Sequence, residues 1–188
     1  MTWRYTPFLI PLVGAGMLSA AIALFAWRRR RVPGATALAA LALAAAVWSF
    51  GYAGELSSGD LPTSLFWAKT QYLGIVAAPV AWLAFALQYT DHERWLTRRK
   101  LLLLALMPLA TLLLTWTNER HHLIWRATSL NTSGTPAVLD ITHGAWFWGY
   151  IVYSYLCLFV GAVLLLRAIV RARQLYHGQA GALLISIV

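Results

Sequence analysis

Five long apolar runs, separated by short polar or basic stretches, set the pattern of the chain. They are Phe8 to Trp27, Gly34 to Ala53, Leu65 to Thr90, Leu101 to Thr117 and Ala145 to Leu166. A helix needs about 20 residues to cross a bilayer. The third run is long enough to tilt or kink, and the fourth is near the lower limit. A sixth run begins at Gly178 and stops at Val188, about half a span. The pattern therefore predicts an all-α polytopic transmembrane bundle, with five complete helices and a truncated sixth, in one membrane-embedded domain over residues 1–188. The C-terminus reads as a cut inside a helix. Strands of a membrane barrel would alternate over about ten residues; Ala37–Val47 and Leu101–Leu106 do not. Arg28–Arg31 follow the first run, which is a stop-transfer arrangement rather than a signal-peptide cleavage site.

Composition sharpens the class. Hydrophobic residues make up 60% of the 188 and charged residues 11%, against about 25% charged in soluble domains. Such a chain cannot cover its surface in water, which argues against a soluble enzyme, and the same numbers exclude a disordered chain. Cys157 is the single cysteine, which excludes a disulfide scaffold. The net charge of +9 would suggest nucleic acid in a soluble protein. Here the cations flank apolar runs, and no nucleic acid partner is expected.

Arg28–Arg31, Arg94, Arg98, Arg99, Lys100, Arg167, Arg171 and Arg173 fall on one side of the bundle, eleven cations in all. Arg4, Lys69, Arg120 and Arg126, four in all, fall on the other. The positive-inside rule places the eleven in the cytoplasm and the N-terminus outside, in a plasma membrane. Pro79, Pro108 and Pro11 interrupt helical runs. Static kinks are the plainer expectation; a hinge along the membrane normal is the functional one.

Seven of ten tryptophans lie toward the outer face: Trp3, Trp48, Trp67, Trp116, Trp125, Trp146 and Trp148. Trp27 and Trp95 lie at the inner face and Trp82 deeper. Aromatic belts decorate both interfaces, so this imbalance calls for a further explanation. Trp48, Tyr52 and Glu55 share a helical face, as do Trp146, Tyr150 and Tyr153, and Lys69, Tyr72 and Val76. If the faces converge, they line an outward-facing aromatic cup with Glu55 and Lys69 at its rim, a candidate small-molecule site. The plainer alternative is a dry core or lipid-facing rings. Glu55 and Lys69 are expected to neutralise each other across the hairpin between the second and third helices.

The longest stretch outside the membrane, Asn118 to Gly144, carries Glu119, Arg120, His121, His122, Asp140 and His143. Adjacent histidines would splay about 100° apart on a helix, and no cysteine is near, so no metal site is assigned. A pH-sensing role is open, but a solvated interfacial loop is the simpler expectation. Asn131-Thr-Ser133 fits the glycosylation pattern weakly, while 13 Arg against 2 Lys looks bacterial. No zincin, nucleophile-elbow, P-loop or dinucleotide motif is present. No catalytic residue and no cofactor is assigned.

Several segments together are similar to a known family. They are Pro79-Val-Ala-Trp-Leu-Ala-Phe-Ala-Leu-Gln-Tyr-Thr90, Thr117-Asn-Glu-Arg-His-His-Leu-Ile-Trp125, Gly144-Ala-Trp-Phe-Trp148 and Tyr176-His-Gly-Gln-Ala-Gly-Ala-Leu-Leu184. In order and spacing the chain resembles the N-terminal seven-helix (7TM) sensor region of bacterial histidine kinases. The resemblance implies seven helices, an outward N-terminus, homodimerisation, and a cytoplasmic kinase or other output domain in the same polypeptide. It implies a signal-input domain of a two-component system, relaying an external or intramembrane cue, and names no ligand. The small residues on the Ala35–Ala46 face would permit close helix contact in a dimer. The alternatives are a small transporter, or a membrane enzyme acting on a lipid or quinone-like substrate.

Overall fold

The computed structural model describes residues 7–132, 134 and 136–185, with the side chains of Glu93 and 172–185 left aside. Trp3, Arg4 and Ser133 lie outside the described residues, as do the last residues of the sixth run, 186–188, and the side chains of Arg173 and His177. The elements run α1 (Leu9–Arg28), α2 (Ala35–Ser57), α3 (Leu61–Tyr89), α4 (Arg98–Trp116), β1 (Trp125–Asn131), β2 (Val138–His143) and α5 (Ala145–Ile185). All five α-helices are long and apolar enough to cross a membrane, α5 over Ala145–Arg171. The all-α bundle is therefore the architecture, with one small antiparallel hairpin attached.

Several boundaries move for local reasons. α3 starts at Leu61 rather than Leu65, because Asp60 caps it, accepting from the Thr63 amide at 3.1 Å, and Pro62 suits its first turn. α2 continues past Ala53 to Ser57, where the Ser57 and Ser58 hydroxyls donate to the Gly54 carbonyl at 2.9 and 2.7 Å. α5 runs on as one helix to Ile185, where the hydrophobic pattern suggested a loop between a fifth and a sixth run. Arg, Gln, Ala and Leu are good helix formers. Charge there marks the end of the apolar length without ending the helix.

α3 is the centre of the bundle. It packs closely on α2 and also on α4 and α5, while α1 packs on α2. The α2–α3 contact is tight because Gly74 lies against the Ala44 carbonyl, and a Cβ there would collide with backbone. Ala37, Ala39, Ala42, Ala44 and Ala46 are buried, with α1 and α3 both packed on α2. The small-residue face that would permit close contact in a dimer is thus largely buried inside the protomer.

Pro11 lies in the first turn of α1, where its missing N–H would have no partner anyway. Pro79 and Pro108 are different. Each leaves the carbonyl four residues earlier without its helical donor. Those carbonyls belong to Ile75 and Leu104. Tyr150 donates its hydroxyl to the first at 3.2 Å, and Tyr153 to the second at 2.7 Å. One helix, α5, thereby repairs both interruptions, as membrane burial requires.

Candidate functional site

The end of the bundle opposite the basic cluster is capped by the β1–β2 hairpin, not by a solvated loop. Its register pairs Asn131 with Val138 and Trp125 with His143. The β-branched residues Thr128, Val138, Ile141 and Thr142 and the apolar–polar alternation of Leu139-Asp-Ile-Thr142, around a Gly134-Thr-Pro136 turn signal, carried this hairpin in the sequence. Asn118 pins it in place. This buried side chain donates to the Trp125 carbonyl at 2.9 Å and accepts from the Ile124 and Trp125 amides, both at 3.0 Å. Gly144 closes the return into α5, its amide donating to the Ile124 carbonyl at 2.8 Å, with Leu123 backbone where a Cβ would stand. Ile124, Trp125 and Leu139 then join Ala68, Tyr72, Val76 and Tyr150 in one apolar core.

The eight residues of the expected cup separate into two groups on different sides of α3. Tyr72, Trp146, Tyr150 and Tyr153 belong to the packed core under the hairpin. Tyr72 and Tyr150 are buried, and Trp125 meets Tyr72 edge-on with ring centres 5.6 Å apart. Trp146 donates its indole N–H to Thr111 Oγ1 at 2.9 Å. These rings are filled space, and the cup does not form there, because the hairpin occupies the opening that helix faces alone would have left.

Trp48 and Tyr52 are exposed on the other side, with Leu12, Ser49 and Gln71 around a cavity of about 340 Å³. Glu55 lies one turn beyond Tyr52 and accepts a hydrogen bond from Gln71 Nε2. The expected Glu55–Lys69 pair is not formed. Lys69 instead pairs with Glu119, just before the hairpin. Positions 69 and 71 differ by about 200° around α3, so only Gln71 faces α2. Gln71 was visible as a polar residue in an apolar run. Asn118 carried no signal of its own.

The groups outside the spans are tuned by their neighbours. Lys69 holds the Glu119 carboxyl below the ordinary range, chiefly through their hydrogen bond. Thr63 does the same for Asp60 with its hydroxyl and amide. Partial burial pushes His143 below its usual value, and its ring stacks on Phe147 at 3.7 Å. His121 accepts from the Leu123 amide on Nδ1 at 3.1 Å, and its Nε2 lies 3.1 Å from Thr117 Oγ1. Among the described residues, no three His, Cys, Asp or Glu side chains gather as a metal site would require.

The tryptophans divide in the same way. Trp48, Trp116 and Trp148 are exposed, whereas Trp125 is buried and Trp146 half-buried in the core. This is a multi-pass membrane domain with its extramembrane hairpin fastened to the helices. A family model described as the N-terminal 7TM region of histidine kinase matches residues 11–188, and the chain belongs to that family. No curated protein and no solved structure matches it.

Proposed function

We propose that this domain is the signal input of a bacterial two-component sensor histidine kinase, set in the plasma membrane with its N-terminus outside. Family membership over residues 11–188 carries this reading. The geometry supports it. Through Asn118 and Trp125 the hairpin is fastened to the core, where Tyr150 presents α5 to α3. α5 then continues over 41 residues, about 60 Å, toward the basic end. A cue that binds two arrangements of this outer end with different affinity would shift α5 and bias an output domain. The cavity beside Trp48, Tyr52 and Gln71 is the proposed ligand entry; the paired Glu55 behind it favours a ligand with hydrogen-bond donors.

The test is autophosphorylation of the complete kinase, expressed from the native reading frame, in proteoliposomes. Trp125→Ala and Tyr52→Leu are each expected to change the basal or cue-stimulated rate by about fivefold or more, the scale of a typical coupling free energy. Rates equal to wild type in both folded variants, or no kinase downstream of residue 188, would overturn the reading.

A further inference from the structure

A second cavity, of about 420 Å³, lies between α2, α3 and α4 at the basic end of the bundle. Its volume falls within the range of small-molecule sites, about 300–1,000 Å³. Alanines make it. Ala37 and Ala40 on α2, Ala77 and Ala84 on α3, and Ala105 on α4 leave a trough that larger side chains would fill. On α3 the lining runs from Val76 to Gln88, about 18 Å of helix. One leaflet contributes about 15 Å of hydrocarbon. The trough therefore spans a single leaflet and stops near mid-membrane. A transmembrane helix, about 10 Å wide and crossing both leaflets, does not match it.

Its two chemical features lie at the same end. Gln88 lines the trough, and its Oε1 is buried without a hydrogen-bond partner among the described residues. A buried carbonyl oxygen of this kind calls for a donor. Next to the lining residues Leu96 and Leu101 stand the exposed Arg98 and Arg99, and Lys100 over the Trp95 ring at 4.1 Å. These cations sit at the N-terminus of α4, whose dipole also favours negative charge.

The geometry points to a binding site for one anionic, hydroxyl-bearing phospholipid of the leaflet at the basic end. An acyl chain lies in the alanine trough, a head-group hydroxyl donates to Gln88 Oε1, and the phosphate meets Arg98, Arg99 and Lys100. The orientation proposed above makes this the cytoplasmic leaflet. The site itself stands apart from the sensor reading, because lipid retention is measured without a kinase.

The probe is phosphatidylglycerol, with phosphatidylcholine as the neutral control. Each is titrated into the detergent-purified chain and read by native mass spectrometry. One phosphatidylglycerol per protomer is expected, held at least tenfold more tightly than phosphatidylcholine. A photoreactive acyl chain is expected to label residues 76–88 and 101–112. Ala84→Phe, or Ala105→Phe on the facing wall, abolishes retention in protein that still melts cooperatively. Arg98→Gln with Arg99→Gln brings the two lipids close to equal affinity. Equal retention of both lipids by the unsubstituted chain overturns the proposal. So does labelling confined to other helices, undiminished binding in folded wall variants, or a wall variant that alters oligomer mass while lipid content stays the same.

Discussion

The hydroxyl of Tyr153 donates at 2.7 Å to the Leu104 carbonyl, four residues before Pro108, on a different helix. The proline creates the unsatisfied acceptor, and a side chain of α5 answers it. Tyr150 stands in the same relation to Ile75 and Pro79. The two hydroxyls tie three helices together at the places where α3 and α4 are weakest. They also give a structural role to two rings of the expected cup.

Tyr153→Phe is expected to lower stability by about 1–3 kcal/mol, since it leaves a carbonyl without a donor. In a Pro108→Ala background, the restored helical N–H should reduce that cost. A double-mutant cycle on thermal melting measures the coupling, expected at about 1 kcal/mol. Additive effects would separate the tyrosine from the proline.

Asn118→Ala removes three hydrogen bonds to the hairpin backbone. A loss of at least about 2 kcal/mol is expected, because two buried amides and a carbonyl lose their partner. Hydrogen exchange should accelerate across residues 123–143 and leave the α2–α3 contact protected. Exchange that rises equally everywhere would mean that the hairpin is not a separate unit.

The Lys69–Glu119 pair predicts an acid limb. Glu119 is held below its ordinary value of 4.5, so the unfolded state takes up the proton first as the pH falls. The contribution is complete above about 4.5 and is lost as the pH drops through the folded value. Glu119 is largely exposed, which limits the pair to about 0.2–1 kcal/mol. Glu119→Gln should lower the melting temperature slightly at pH 7 and remove that part of the acid dependence.

His143 is expected to titrate below 6.5, because partial burial disfavours its charge. The unfolded histidine protonates first, so its contribution is full above 6.5 and declines as the pH falls toward the folded value. Chemical-shift titration of the His143 ring checks this. A midpoint above 6.5 would contradict the burial argument.

Gly74→Val is expected to force α2 and α3 apart, since a Cβ at 74 meets the Ala44 carbonyl. Overpacking of this kind costs about 1–3 kcal/mol. Gly14→Ala, where nothing stands within 4 Å of the added carbon, is the control and should be neutral or slightly stabilising.

The spans were legible in the sequence because bilayer crossing is a one-dimensional constraint. A helix satisfies its own backbone, so a sufficient apolar run such as Phe8–Trp27 is already the element. Family membership was legible for a similar reason: motifs such as Thr117–Trp125 lie within single segments. The hairpin at Trp125–His143 was also written locally, in alternation and turn residues, but a membrane-wide hydrophobic pattern hides strands of seven and six residues. Partnership was not written locally. Lys69 can reach Glu55 or Glu119 in any linear reading; only the packing of α2 on α3 turns Gln71 toward Glu55 and Lys69 toward Glu119. The same holds for the aromatic residues. Period and spacing put Tyr52, Tyr72 and Tyr150 on helical faces, while the rotation of each helix about α3 decided which face stays open and which is buried. Those rotations are set by contacts between segments far apart in the chain, such as Gly74 against Ala44 and Tyr150 against Ile75, which exist only once the helices have packed.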